Sequence, residues 1–125
     1  MIMSDYLSYP AGLESALLNV LANHQGRQRA IGRGSLVYGL NVMGHQVHER
    51  AVRECIKQLR RQGHLICAMP GKDGGYYLAV TLAEFQEFDR AEFGAKIADM
   101  NETRQALLQA ARKQFGDVVQ MELMI

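Results

Sequence analysis

Apolar residues recur at Leu13, Ala16, Leu17, Val20 and Leu21, the i, i+3, i+4 spacing of a helix buried along one side. Pro10 suits the start of that helix and Asn23 with Gly26 its end, so a helix is predicted over Ala11 to Asn23. The polar, glycine-rich HQGRQRAIGRG that follows reads as a loop holding a short strand at Arg29 to Ile31. Ser35 offers an N-cap for a short helix, Leu36 to Leu40, ahead of a turn through NVMG that Gly39 and Gly44 bracket. The clearest period comes next. Val52, Cys55, Ile56 and Leu59 share one helical face, with Ala51 at its edge, and Arg50, Arg53, Lys57, Arg60 and Arg61 take the other. This helix is predicted from Val47 or His48 to Gln62, closed by Gly63 as the C′ residue with Leu65 packed back on the last turn. Glu49 near its start and Arg60 and Arg61 near its end complement the helix dipole.

LICAM and YYLAV are apolar runs of strand length, and Pro70, Gly71, Gly74 and Gly75 punctuate the space between them as a hairpin requires. Thr81 and Glu84 match a capping box, Thr-x-x-Glu, which opens a long helix from Leu82 to Phe115. Phe85 and Phe88 are expected to close the core beneath the hairpin. Phe93, Ile97, Met100, Leu107 and Ala111 approximate a 4,3 repeat over about three heptads, with Arg104 in one slot of the seam. The end, VVQMELMI, is apolar. The expected organisation is a domain at 11–80, a long C-terminal helix at 81–116 and an apolar tail at 117–125.

The 125 residues, 48% hydrophobic and 22% charged, fit one globular domain with a real core. No apolar run approaches the roughly 20 residues of a membrane span, and MIMSDYLSYP lacks the pattern of a signal peptide. A cytoplasmic protein is expected, with no membrane partner. Cys55 and Cys67 are too few for a disulfide scaffold and read as reduced core residues. Net charge is only +1, but its distribution is uneven. From His24 to Lys72 nine basic and two acidic side chains give +7, whereas residues 1–23 carry −2 and residues 73–125 carry −4. A basic middle between acidic flanks indicates a local anion-binding surface or, more simply, a solvated face.

Helix, short strand, helix, turn, basic helix, hairpin, long helix is the order of a winged helix-turn-helix domain, so the expected fold is α+β and mostly helical. An α-helix fits the major groove of B-DNA. Arginine offers a planar fork to guanine or phosphate. Recognition helices read bases mainly through their N-terminal part. That assigns Gln46, His48, Glu49, Arg50 and Arg53 to base edges. Lys57, Arg61 and Lys72, on the helix and the hairpin tip, fall to phosphates, which set register without reading sequence. Arg60 lies nearer the core boundary and is expected to snorkel. Arg27, Arg29 and Arg33 fit phosphate contacts and an ordinary soluble loop equally well.

HERAVRECIKQLRRQGHLICAMPGKDGGYYLA resembles the winged helix-turn-helix module of biotin-operon-repressor-type regulators, and more closely that of small phage and prophage DNA-binding proteins. The resemblance covers roughly residues 13 to 90 and is most specific over Arg50 to Ala79. It implies DNA contacts by Arg50 and Arg53 and a wing tip at Gly71 to Gly74. Two departures stand out: His48 occupies the position of a Ser or Thr N-cap, and GLNVMGHQ is longer than the family's tight turn.

Other chemistry finds little support. His45 and His48 share spacing for a helix face, but no third ligand completes a metal site. Glu84, Glu87, Asp89 and Glu92 fit a capped helix start better than catalytic acids. GKDGG lacks the length and the Lys-Ser/Thr ending of a phosphate-binding Walker loop. No catalytic set, cofactor or small-molecule ligand is expected. The expected partners are double-stranded DNA and, through the C-terminal helix, a second copy, although that helix also has the length to fold back over its own domain. The expected role is transcriptional regulation, or replication or maintenance of a phage or mobile element. The alternative is a winged-helix protein-interaction module that does not bind DNA.

Overall fold

The computed structural model describes residues 9–71 and 74–116; Lys72 and the apolar tail lie outside the described residues. Two compact units divide the chain, Met1–Phe88 and Asp89–Ile125. The first contains helix α1 (Leu13–Leu21), a 3₁₀ turn at Arg27–Arg29, strand β1 (Ile31–Gly32), helices α2 (Arg33–Val42) and α3 (Glu49–Arg61), strands β2 (Ile66–Ala68) and β3 (Gly75–Leu78), and nearly all of α4 (Leu82–Asp89). The second contains a π-helical segment, Arg90–Gly94, and helix α5 (Ala95–Phe115). The chain is thus α+β and mostly helical, with one small three-stranded antiparallel sheet in the order β1-β3-β2.

The sheet separates two apolar clusters. Side chains alternate between the faces of a strand, so Ile66 and Tyr76 join the larger cluster while their neighbours Cys67 and Tyr77 join the smaller. The larger is built from Leu13, Leu17 and Leu21 of α1, Leu36 and Leu40 of α2, and Val52, Cys55, Ile56 and Leu59 of α3. Phe88 of α4 packs with Cys67 and Tyr77 on the other side. The compact unit therefore runs to Phe88, past the boundary at residue 80 read from the sequence, because this ring closes the second face of the sheet. Phe85, expected to share that task, is only half-buried.

Several local expectations are corrected. α2 begins at Arg33 and continues through Asn41 and Val42, so Ser35 is not its cap and the predicted NVMG turn starts later. The strand expected at Arg29 to Ile31 lies at Ile31–Gly32, because a 3₁₀ turn takes Arg27–Arg29. Leu65 is exposed and does not pack on the end of α3. That end is held by backbone instead. With Gly63 at φ 101°, its N–H donates to the Arg60 carbonyl at 3.0 Å, and the His64 N–H reaches back to Leu59 at 3.1 Å. Such 5→2 and 6→1 bonds form a Schellman closure, which favours glycine at C′. α2 ends the same way at Gly44, with Gly44 N–H to Asn41 at 2.9 Å and His45 N–H to Leu40 at 3.1 Å. The single helix predicted over Leu82 to Phe115 is helical throughout, but π-helical at Arg90–Gly94. Phe93 therefore precedes the regular α-helical part of the seam.

Candidate nucleic-acid interface

α3 is the most strongly two-sided helix of the chain. Val52, Cys55, Ile56 and Leu59 are almost wholly buried, whereas Arg50, Arg53, Lys57 and Arg61 are exposed. At 100° per residue these four cations fall on one stripe opposite the buried face. Two ion pairs occur among the described residues, Arg27 with Glu87 and Lys96 with Glu92, and neither involves that stripe. None of the four forms an ion pair with a carboxylate of the described residues. Thirteen residues make a rod roughly 20 Å long, longer than the roughly 12 Å width of a B-DNA major groove.

Asn41 organises the entry to this rod. The six residues between α2 and α3, Met43 to His48, form the long turn noted in the sequence. Asn41 Oδ1 accepts the Val47 N–H at 3.0 Å, and its Nδ2 donates to the Val37 carbonyl at 2.8 Å and the Val47 carbonyl at 3.0 Å. One amide thus ties the last turn of α2 to the start of α3. Val47 is buried, while Gln46 and His48 on either side are exposed. Gln46 takes φ 37°, the left-handed region that side chains seldom occupy. His48 is the N-cap residue, in extended conformation, and its ring makes no capping bond. Its carbonyl accepts the first helical bond, from Val52 N–H at 3.2 Å. Gln46 and His48 in the turn before α3, and Glu49, Arg50 and Arg53 in its N-terminal half, are therefore all exposed, and Lys57 and Arg61 continue the stripe.

The hairpin is fastened by an arginine that sequence reasoning left unassigned. Arg33 Nη1 donates to the Gly71 carbonyl at 3.0 Å and Nη2 to the Met69 carbonyl at 3.2 Å, with the guanidinium 5.9 Å from the centre of the Tyr76 ring. It is a brace for the hairpin. Gly75 is demanded by packing within the protein: a Cβ there would overlap the Ile31 carbonyl of the paired strand. Lys72 at the tip lies outside the described residues.

Other basic residues also have structural work. Arg60 does not snorkel as expected: its head turns inward, Nε donating to the Ile66 carbonyl at 2.8 Å, the guanidinium 5.0 Å from the Phe88 ring centre and Nη2 buried. Arg27 joins the loop to α4: its N–H donates to Glu84 Oε2 at 2.9 Å and its side chain pairs with Glu87 at 2.7 Å. Glu84 also accepts the Val80 N–H at 2.9 Å, while its own N–H donates to Thr81 Oγ1 at 3.1 Å. The predicted Thr81–Glu84 cap is present with an added function, fastening the Arg27 loop. The Arg27 and Val80 N–H groups hold the Glu84 carboxyl below the usual glutamate range. Burial pushes the Cys55 thiol up to about 12 and raises that of Cys67, so neither is a reactive thiolate.

Sequence reasoning missed an exposed apolar group that precedes α3 in the chain. Tyr38, Val42 and Met43 are exposed on the end of α2 and the following turn. Val42 and Met43 within a segment predicted as turn, with Tyr38 four residues before Val42 in the predicted short helix, were the available signal. Among the described residues no group of three or more His, Cys, Asp or Glu could hold a metal ion, and no helix is long and apolar enough to cross a membrane. No protein-family model matches the chain, and neither a curated protein nor a solved structure is similar to it.

Proposed function

We propose that residues 11–80 form a winged helix-turn-helix module that binds double-stranded DNA, with α3 in the major groove and the β2–β3 hairpin as its wing. The observation that carries this reading is the exposed stripe Arg50, Arg53, Lys57 and Arg61, outside the ion pairs of the described residues, on a helix whose other face is fixed in the core. A rigid cationic helix can follow a groove because its side chains are presented at set spacings without a folding cost on binding. Arg50 and Arg53, with Gln46, His48 and Glu49, read base edges; Lys57, Arg61 and Lys72 engage phosphates. The order of elements and the sheet order β1-β3-β2 support the same reading. The role in the cell is regulation of transcription, or replication or maintenance of a phage or mobile element, by a cytoplasmic protein that needs no cofactor and catalyses no reaction.

The test is selection of bound duplexes from a random library, followed by anisotropy titration of the enriched sequence. Arg50→Ala combined with Arg53→Ala is expected to abolish preference for that sequence while the far-ultraviolet spectrum and unfolding midpoint are kept. Unchanged preference would remove the assignment. A second reading, a protein-interaction module, draws support from exposed Tyr38, Val42 and Met43 on the end of α2 and the following turn. It predicts no duplex binding at low salt, whatever the state of the arginines.

A further inference from the structure

α5 presents apolar side chains to solvent in a regular helical array. Ile97, Met100 and Leu107 are 65%, 71% and 66% exposed, and none of the 21 residues of α5 is buried. Spacing of 3, 4 and 3 from Ile97 through Met100 and Arg104 to Leu107 is that of a coiled-coil seam, with Ile97 and Arg104 at a and Met100 and Leu107 at d. A groove of about 580 Å³ runs along this face, lined by Lys96, Asp99, Met100, Thr103, Arg104 and Leu107. Charge is graded along the same stretch. Asp89 to Thr103 holds four acidic and two basic residues, net −2, and Arg104 to Gly116 holds three basic residues and no acid, net +3.

We propose that α5 pairs antiparallel with α5 of a second copy of this chain, with the two-fold axis crossing beside Glu102. In that direction an a residue faces a d residue, so Ile97 meets Leu107 and Arg104 meets Met100, and the two-fold repeats both layers. The acidic half of each helix then lies along the basic half of the other, and the helix dipoles oppose. Arg104, the residue that spoils a conventional seam, lays its stem over Met100 of the second copy and sends its head out of the apolar layer to the edge of the groove. A parallel pair would instead set Arg104 against Arg104 in the interface and align like charges along its whole length. The second copy is therefore the occupant whose charge and layer order fit this face, and the pairing stands independently of the DNA-binding reading.

The full chain at micromolar concentration is expected to sediment at twice the 14.0 kDa chain mass. Ile97→Asp with Leu107→Asp is expected to return it to the monomer mass without lowering the unfolding midpoint of the first unit, whose core contains neither residue. Direction is read by mild oxidation, since the natural thiols are buried. Thr103→Cys, flanking the two-fold, is expected to link to its own copy. Lys96→Cys is expected to stay unlinked alone and to link when mixed with Ala110→Cys. A monomer mass overturns the proposal. So does a dimer that survives the double aspartate variant, or a chain carrying Met100→Cys that links to its own copy, since matching d residues meet only in a parallel pair.

Discussion

α3 and α5 both carry apolar residues at helical spacing among basic ones, yet they put those apolar residues in opposite places. In α3 the apolar face is buried and the cations face solvent; in α5 Ile97, Met100 and Leu107 face solvent along with the charges. Sequence period alone makes both helices. The difference comes from neighbours: α3 has α1, α2 and β2 against its apolar face, and no residue of α5 is buried. Each fully buried Leu or Ile contributes about 1.5–3 kcal/mol, so α3 is anchored by tertiary packing. α5 draws on local terms. Ala95, Ala98, Ala106, Ala110 and Ala111 have high helix propensity. The exposed Glu92–Lys96 pair spans i, i+4 at 2.7 Å and is worth about 0.2–0.5 kcal/mol. A helix fixed by a core can present charges at set positions to a rigid ligand. One with an exposed seam is stabilised most by acquiring a second surface.

The sharpest break of this comparison is a pair of truncations. Leu59→Ala in α3 is expected to cost about 2–5 kcal/mol in urea unfolding of the first unit, as large-to-small core changes do. Leu107→Ala in α5 is expected to leave that transition within about 0.5 kcal/mol, as surface changes do. Equal effects would mean that the two helices are anchored alike. Next in size is Asn41→Ala. Its three hydrogen bonds at the entry to α3 are each worth about 1 kcal/mol. The loss is expected to appear both in the unfolding midpoint and in faster amide exchange at Val47.

A smaller effect is expected at Glu84. Its carboxyl is held below the usual glutamate range by the Arg27 and Val80 N–H groups, so folding favours the ionised form. The stability it adds is present above the ordinary glutamate value of about 4.3 and is lost as pH falls through the lower folded-state value. Glu84→Gln is thus expected to be less stable than the parent at neutral pH, with the gap closing once the parent carboxyl is protonated. A gap independent of pH would show that charge is not what Glu84 supplies. The finest distinction lies in salt dependence. If Lys57 neutralises one phosphate, Lys57→Ala is expected to lower the slope of log affinity against log salt by about 1. Arg112→Ala on α5 is expected to leave the slope unchanged. Equal changes would spread the DNA surface over both helices.

Much of the first unit was legible because its signals are local. The period of Val52, Cys55, Ile56 and Leu59, Gly63 at the helix end, and the glycines between two apolar runs each act over a few residues. Errors fell where a distant partner decides. Arg33 reads as a loop cation and becomes a brace because the hairpin carbonyls of Met69 and Gly71 come within reach. Glu84 reads as a capping residue and also receives the Arg27 N–H from far along the chain. Asn41 reads as part of a turn, yet it lies in α2 and holds the turn that follows.

By itself the sequence determined which segments are helices, which side of α3 is greasy and which is cationic, and where backbone reversals need glycine. Those properties depend on side chains and dihedral angles within a turn or two of one another. Only the tertiary structure decided which apolar stripe is covered, which arginines are engaged within the fold and which are left to solvent. Burial and hydrogen bonding depend on groups separated by tens of residues, and a one-dimensional pattern carries no measure of how close the folded chain brings them.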